Sequence, residues 1–271
     1  MTSLDGTVVL VTGATDGLGR ALVIELARQG AIVLLHGRDE GRISDTVAQI
    51  KAETGSDQVR TYQADLADLG QVRSLAEQVL AGEPRLDVLV NNAGIGSDVP
   101  GGGARQESAD GYELRFAVNY LAGYALTELL LPLLKKSAPS RIVNESSLGQ
   151  QAIDFTDVML TRGYGGIRAY CQSKLAQILF TIDLAERLDG TGVTVNALHP
   201  ATYMPTKMVH SPISTIAEGV EATMHLITAD AGTGRFYNGL RQASPNPQAQ
   251  DPQARRQLRE LSETLTSIPA T

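Results

Sequence analysis

Residues 7–39 read TVVLVTGATDGLGRALVIELARQGAIVLLHGRD, and their pattern decides the fold. TVVLVTG is a short β-branched run closed by glycine, which marks a buried strand. GRALVIELARQG spaces its apolar residues as an amphipathic helix does and ends at Gly30. AIVLLHG is a second apolar run, so the unit is strand, helix, strand. Between its first two elements stands TGATDGLG, where Gly13, Gly17 and Gly19 allow a tight turn and a close approach to a ligand. Backbone N–H groups at a helix N-terminus bind phosphate, because the free donors and the helix dipole point the same way. An ordinary glycine-rich turn has the same composition. The placement after the first strand and at the start of a helix favours a dinucleotide site.

The alternation continues along the chain. The spacing predicts a helix over about 42–51, a strand in VRTYQAD, a helix over about 69–80 and a strand in LDVLVNNAG. A long helix follows over LRFAVNYLAGYALTELLLPLL, then a strand in RIVNESS, a helix around Tyr170 and a strand in VTVNALHP. Apolar strands separated by helices specify a parallel sheet covered on both faces, with right-handed crossovers. The expected architecture is an α/β fold, one doubly wound Rossmann-type domain over 1–271. After Pro200 the pattern loosens: ATYMPTKMVHSPIS holds two prolines and little periodicity. GRFYNGLRQASPNPQAQ is expected to give a last short strand and a loop. DPQARRQLRELSETL is expected as a capped helix within a C-terminal extension over 240–271.

A chain of 271 residues with 42% hydrophobic content can bury one large core. A net charge of -7 argues against a nucleic-acid partner. Cys171 is the single cysteine, so no internal disulfide forms, and the four histidines show no zinc spacing, so no metal is expected. The start, MTSLDGTVVLVTG, lacks a basic region followed by a long apolar run, and no stretch approaches the ~18 apolar residues of a membrane span. The expectation is a soluble, cytoplasmic protein with no membrane partner.

AYCQSKLAQ, at 169–177, puts Tyr170 and Lys174 on one helical face. Such pairs are common on half-buried helices, so the rest of the chain must decide. Taken with the glycine loop, NNAG at 91–94 and IVNESS at 142–147, the pair resembles the motif set of the short-chain dehydrogenase/reductase family, in the same order over about 7–200. The tail, FYNG followed by ARRQLRELSETLT, is most similar to the retinol-dehydrogenase-like branch. The resemblance implies a nicotinamide cofactor and interconversion of a carbonyl and a secondary alcohol on a small-molecule substrate. It implies Tyr170 as general acid/base, Lys174 beside it on the nicotinamide ribose, and Ser147, with Ser146 as the alternative, on the substrate oxygen. Asn119, in FAVNYLAG, would support a water-mediated proton relay to the lysine. The implied cofactor contacts are Gly13, Thr15, Asp16, Gly17, Leu18 and Gly19 in the loop, Asp65 and Leu66 near adenine, and Asn92, Ala93 and Gly94. Tyr170, Lys174, Pro200, Thr202 and Thr206 complete the set.

Members that use NAD place an acid at the position of Gly37, where it would bond the adenosine ribose; here Arg38 follows that glycine. A guanidinium holds a 2′-phosphate bidentately, so NADP(H) is expected over NAD(H). Asp39 and Asp16 pull the other way.

The chain also departs from the family. Pro200-Ala201 replaces the usual Pro-Gly, which leaves open whether Thr202 or Thr206 meets the nicotinamide. The interval from Ser147 to Tyr170 is long, so 148–166 is expected to loop over the substrate pocket together with 201–215. Glu145 interrupts an apolar strand, which suggests a sheet edge or a subunit contact. Cys171 points about 100° away from Tyr170 around the helix and reads as packing. A homodimer or homotetramer is implied through the helices around Asn119 and Tyr170. A non-catalytic NADP(H)-binding sensor is the alternative, and the intact Tyr170, Lys174, Ser147 and Asn119 set speaks against it.

Overall fold

The computed structural model describes residues 3–98, 103–205 and 212–270. It begins with β1 (Val8–Val11), α1 (Gly17–Arg28), β2 (Ile32–Gly37), α2 (Glu40–Thr54), β3 (Val59–Gln63), α3 (Leu69–Gly82) and β4 (Val88–Asn91). There follow α4 (Ala122–Lys136), β5 (Ser140–Glu145), α5 (Gly166–Arg187), β6 (Val193–His199), α6 (Ile216–Thr228), β7 (Phe236–Asn238), β8 (Arg241–Ala243) and α7 (Pro252–Thr266). The sheet order is β3-β2-β1-β4-β5-β6-β7-β8. Every pairing is parallel except the last, where β8 returns antiparallel along β7. The expected final strand is thus a hairpin.

Alternation along β1 sets the two layers of the core. Val9 and Val11 face α1, α2 and α6 with Leu22, Ile50 and Ile227, while Val8 and Leu10 face the α3, α4 and α5 side with Leu75, Leu130 and Leu179. The strand order reverses beside β1, and a crevice therefore opens at the C-terminal ends of β1 and β4. That is where open α/β sheets bind ligands.

Three other expectations need correction. The long helix over 114–134 is not uniform: Phe116–Leu121 winds as a π turn before α4 begins. By length and composition Phe116–Lys136 would cross a bilayer, contrary to the reading that nothing approaches span length; it is 78% buried because it is a core helix. α6 was not expected after the loosened pattern. It starts at a capping box in which the Thr215 hydroxyl and the Glu218 carboxylate each accept a backbone N–H.

α7 occupies the face through which pairing was expected. Tyr120 and Ser262 share a hydrogen bond of 2.7 Å, and Tyr124 donates to the Ile268 carbonyl. Arg259 and Arg255 pair with Asp183 and Glu186 of α5 at 2.6 and 2.7 Å. Tyr124 and Phe180 meet edge to face beneath them, with centroids 5.3 Å apart. A partner subunit using this face would have to displace α7. Tyr120→Phe should cost about 1 kcal/mol, read as a lower urea midpoint, because the Ser262 hydroxyl keeps its bond to the Leu258 carbonyl.

Candidate active site

The glycine loop is built by its neighbours. Asp16 caps α1, accepting from Gly17 N at 2.9 Å, and is paired with Arg42 of α2 at 3.1 Å. Gly13 has φ +64, and a Cβ there would lie 2.9 Å from Ala93 Cα. A Cβ on Gly19 would strike Asn92 Nδ2 and the Gly13 carbonyl. Asn92 Nδ2 donates to the Thr12 carbonyl at 2.7 Å, and Thr12 Oγ1 accepts from Asn92 N and Ala93 N. Asn92 and Ala93 therefore hold the loop in place from the end of β4.

His36, at the end of β2, was not singled out by the sequence. Its Nδ1 accepts from Gly13 N at 3.2 Å and its Nε2 lies 3.1 Å from the Ala64 carbonyl. The proton is thus on Nε2. Burial holds its pKa down at about 4, so the ring stays a neutral strut beneath the loop. Backbone donors at the start of α1, in a loop whose glycines let it pack tightly against Asn92 and Ala93, fit the pyrophosphate of a dinucleotide. Leu18 is buried against the site of Gly219 on α6.

Around the end of β2, the space beside Gly37 is occupied. A Cβ there would lie 2.6 Å from Thr15 Cγ2. Asp39 caps α2 and accepts from Arg42 N at 2.8 Å. Arg38 is exposed, and its guanidinium takes no hydrogen bond or ion pair among the described residues. Asp65 shapes the turn into α3 by accepting from Ala67 N, and Leu66 is buried beside it.

Four residues from three elements converge on the reacting centre. Tyr170 and Lys174 lie on α5, Ser147 follows β5, and Asn119 lies in the π turn, a distortion frequent at functional sites. Lys174 Nζ is 5.8 Å from the centre of the Tyr170 ring and donates to the Glu145 carbonyl at 2.7 Å and to Gln177 Oε1 at 3.1 Å. Burial raises the pKa of the Tyr170 phenol, and a hydrogen bond with Ser147 opposes the rise. Ser146 turns away, its hydroxyl donating to the Lys174 carbonyl at 2.7 Å. Asn119 accepts from Ile95 N at 2.8 Å and donates to Ser173 Oγ at 2.9 Å. It thereby ties the segment after Gly94 to α5. Cys171 is half-buried, and burial pushes its thiol pKa up.

Pro200 is buried, and Thr202 Oγ1 lies 2.9 Å from His199 Nε2. Thr206 lies outside the described residues. The 148–166 loop is tied to the C-terminal extension, since Gln248 bonds both the N–H and the carbonyl of Ile153. At its far end Tyr164 joins buried Glu113 and Arg115 at 2.9 and 2.7 Å. Leu148, Tyr203 and Ile213 remain exposed, leaving an apolar rim near Tyr170. Besides His36, sequence reading missed Arg42, whose signal was its place in the first turn of α2, four residues after Arg38.

A family described as short chain dehydrogenase matches residues 7–216. Retinol dehydrogenase 13 of Homo sapiens is 38% identical, over 99% of this chain and 87% of that protein. Retinol dehydrogenase 14 of Mus musculus is 37% identical, over 98% and 87%. Among solved structures, an uncharacterized protein of Mycobacterium paratuberculosis matches with TM-score 0.84 and 31% identity, covering 100% of this chain and 97% of that one. The Pseudomonas aeruginosa RhlG/NADP active-site complex matches with TM-score 0.71 and 28% identity, covering 87% and 95%.

Proposed function

The chain belongs to the short-chain dehydrogenase family, and from that premise we propose that it is an NADP(H)-dependent oxidoreductase that interconverts an apolar carbonyl and its alcohol, with Tyr170 as general acid/base. The convergence of Tyr170, Ser147 and Lys174 carries this reading. The nicotinamide, when bound, supplies or accepts the hydride. Ser147 orients the carbonyl oxygen, and the Tyr170 hydroxyl donates its proton to that oxygen. The Lys174 ammonium stabilises the tyrosinate left behind. Asn119 keeps the segment after Gly94 against α5, so that these groups stay in register.

Burial raises the Tyr170 pKa, so the phenol holds its proton at neutral pH. Reduction needs that proton, and oxidation needs it gone. Alcohol oxidation should therefore climb with pH across the neutral range, and a flat pH profile for kcat would contradict it.

Three observations support NADP(H). Thr15 fills the place an acid at 37 would need, Asp39 is engaged at a helix cap, and Arg38 is open to a 2′-phosphate. The apolar rim, with relatives named retinol dehydrogenase, supports a lipophilic substrate such as a retinoid aldehyde. A reducing location such as the cytoplasm belongs to the same proposal, on the single cysteine. Any homodimer or homotetramer then pairs through a face other than the one α7 covers. The activity test is consumption of NADPH against NADH over a panel of apolar aldehydes and ketones. Faster turnover with NADPH is expected, and equal rates would overturn the cofactor assignment.

A further inference from the structure

Glu145 is neither on a sheet edge nor at the surface. β5 is flanked by β4 and β6, and the residue is 4% exposed. Its Oε1 accepts the Thr223 hydroxyl of α6 at 2.6 Å, while Oε2 is buried with no hydrogen-bond partner among the described residues. Its own carbonyl accepts the Lys174 amine at 2.7 Å. A buried carboxylate with an orphan oxygen opposes stability, and an aliphatic side chain would cost far less here. Groups kept against packing cluster at functional sites.

Lys174 is itself only 6% exposed, and a buried ammonium requires a counter-charge. Around the amine stand the Tyr170 ring, centred 5.8 Å away, the uncharged Gln177 at 3.1 Å and, from β6, His199, held neutral by burial at about 4; α6 brings the uncharged Thr223 hydroxyl to the Glu145 carboxylate. Burial draws Lys174 down to about 8, and the Glu145 carboxylate opposes that fall. Burial lifts Glu145 to about 7, against the Thr223 bond and the Lys174 charge.

We propose that Glu145 is a positioning residue for the reaction: its carboxylate is the buried counter-charge that keeps the Lys174 amine protonated, while its main-chain carbonyl anchors that amine at the end of β5. This rests on the reading of Lys174 as the cation serving Tyr170. The two groups titrate as a pair. An anion raises the pKa of a neighbouring amine, so neutralising Glu145 lets Lys174 lose its proton at lower pH. Glu145→Gln preserves shape and can still accept from Thr223.

The test is the pH profile of kcat/KM for NADPH-dependent carbonyl reduction by the full chain, wild type against Glu145→Gln. The alkaline half-activity point should fall by about one pH unit in the variant, and Thr223→Val, which removes the bond that favours the charged carboxylate, should move it the same way by less. Superimposable wild-type and Glu145→Gln profiles would overturn the proposal. Absence of any wild-type turnover would instead refute the functional reading. The electrostatic pairing is then judged without catalysis, from thermal midpoints at pH 8 of Glu145→Gln, Lys174→Met and the double variant, all free of cofactor. Shifts that fail to add are expected, and strict additivity overturns the pairing.

Discussion

Tyr170→Phe should lower kcat by about 10³- to 10⁴-fold while changing NADPH affinity by less than about twofold, at the upper end of what a positioned general acid contributes. The substitution removes one oxygen and leaves a ring of the same size in a half-buried position on α5. The glycine loop is supported by Asp16, His36, Thr12 and Asn92, none of which depends on the phenol. Cofactor binding and proton donation therefore separate. A variant within tenfold of wild-type turnover would remove Tyr170 from the chemistry.

Arg38→Ala should weaken NADPH by about 10- to 150-fold and leave NADH nearly unaffected, the loss expected of one charge-assisted bond of about 1.5 to 3 kcal/mol. An acid at 37 would collide with Thr15, which lies 2.6 Å from where its Cβ would stand, and Asp39 already accepts from Arg42 N. Neither carboxylate route to an NAD ribose is open, while the Arg38 guanidinium is exposed beside the end of β2. Competition titrations with both cofactors check this. Equal losses would mean that Arg38 shapes the loop instead of reading the phosphate.

The strands β1, β2, β4, β5 and β6 were legible because each carries an apolar run, and buried parallel strands need no polar face, whereas β3, VRTYQ, is a largely exposed edge strand. α6 was obscured because its buried face opens with Gly219, Ala222 and Thr223 before Met224, Leu226 and Ile227, and follows a proline-broken stretch. Its capping box, Thr215 and Glu218, was the available signal. The π turn leaves no such signal, since FAVNYL suits either helical winding. Contacts between distant segments were the least legible part. His36 serves Gly13 from another strand, and Tyr120 meets Ser262 across most of the chain. Glu145 looked like an edge residue because sequence does not state which strands flank β5.

The central claim is that bound NADPH is used for carbonyl reduction and not merely held. The most direct measurement incubates the full chain with NADPH deuterated on both faces of the nicotinamide C4 and a panel of apolar aldehydes and ketones, and weighs the products. An alcohol carrying one deuterium at the former carbonyl carbon, formed by wild type and not by Tyr170→Phe, is the predicted result. Tight NADPH binding with no labelled alcohol from any carbonyl would contradict it and identify a cofactor-binding sensor.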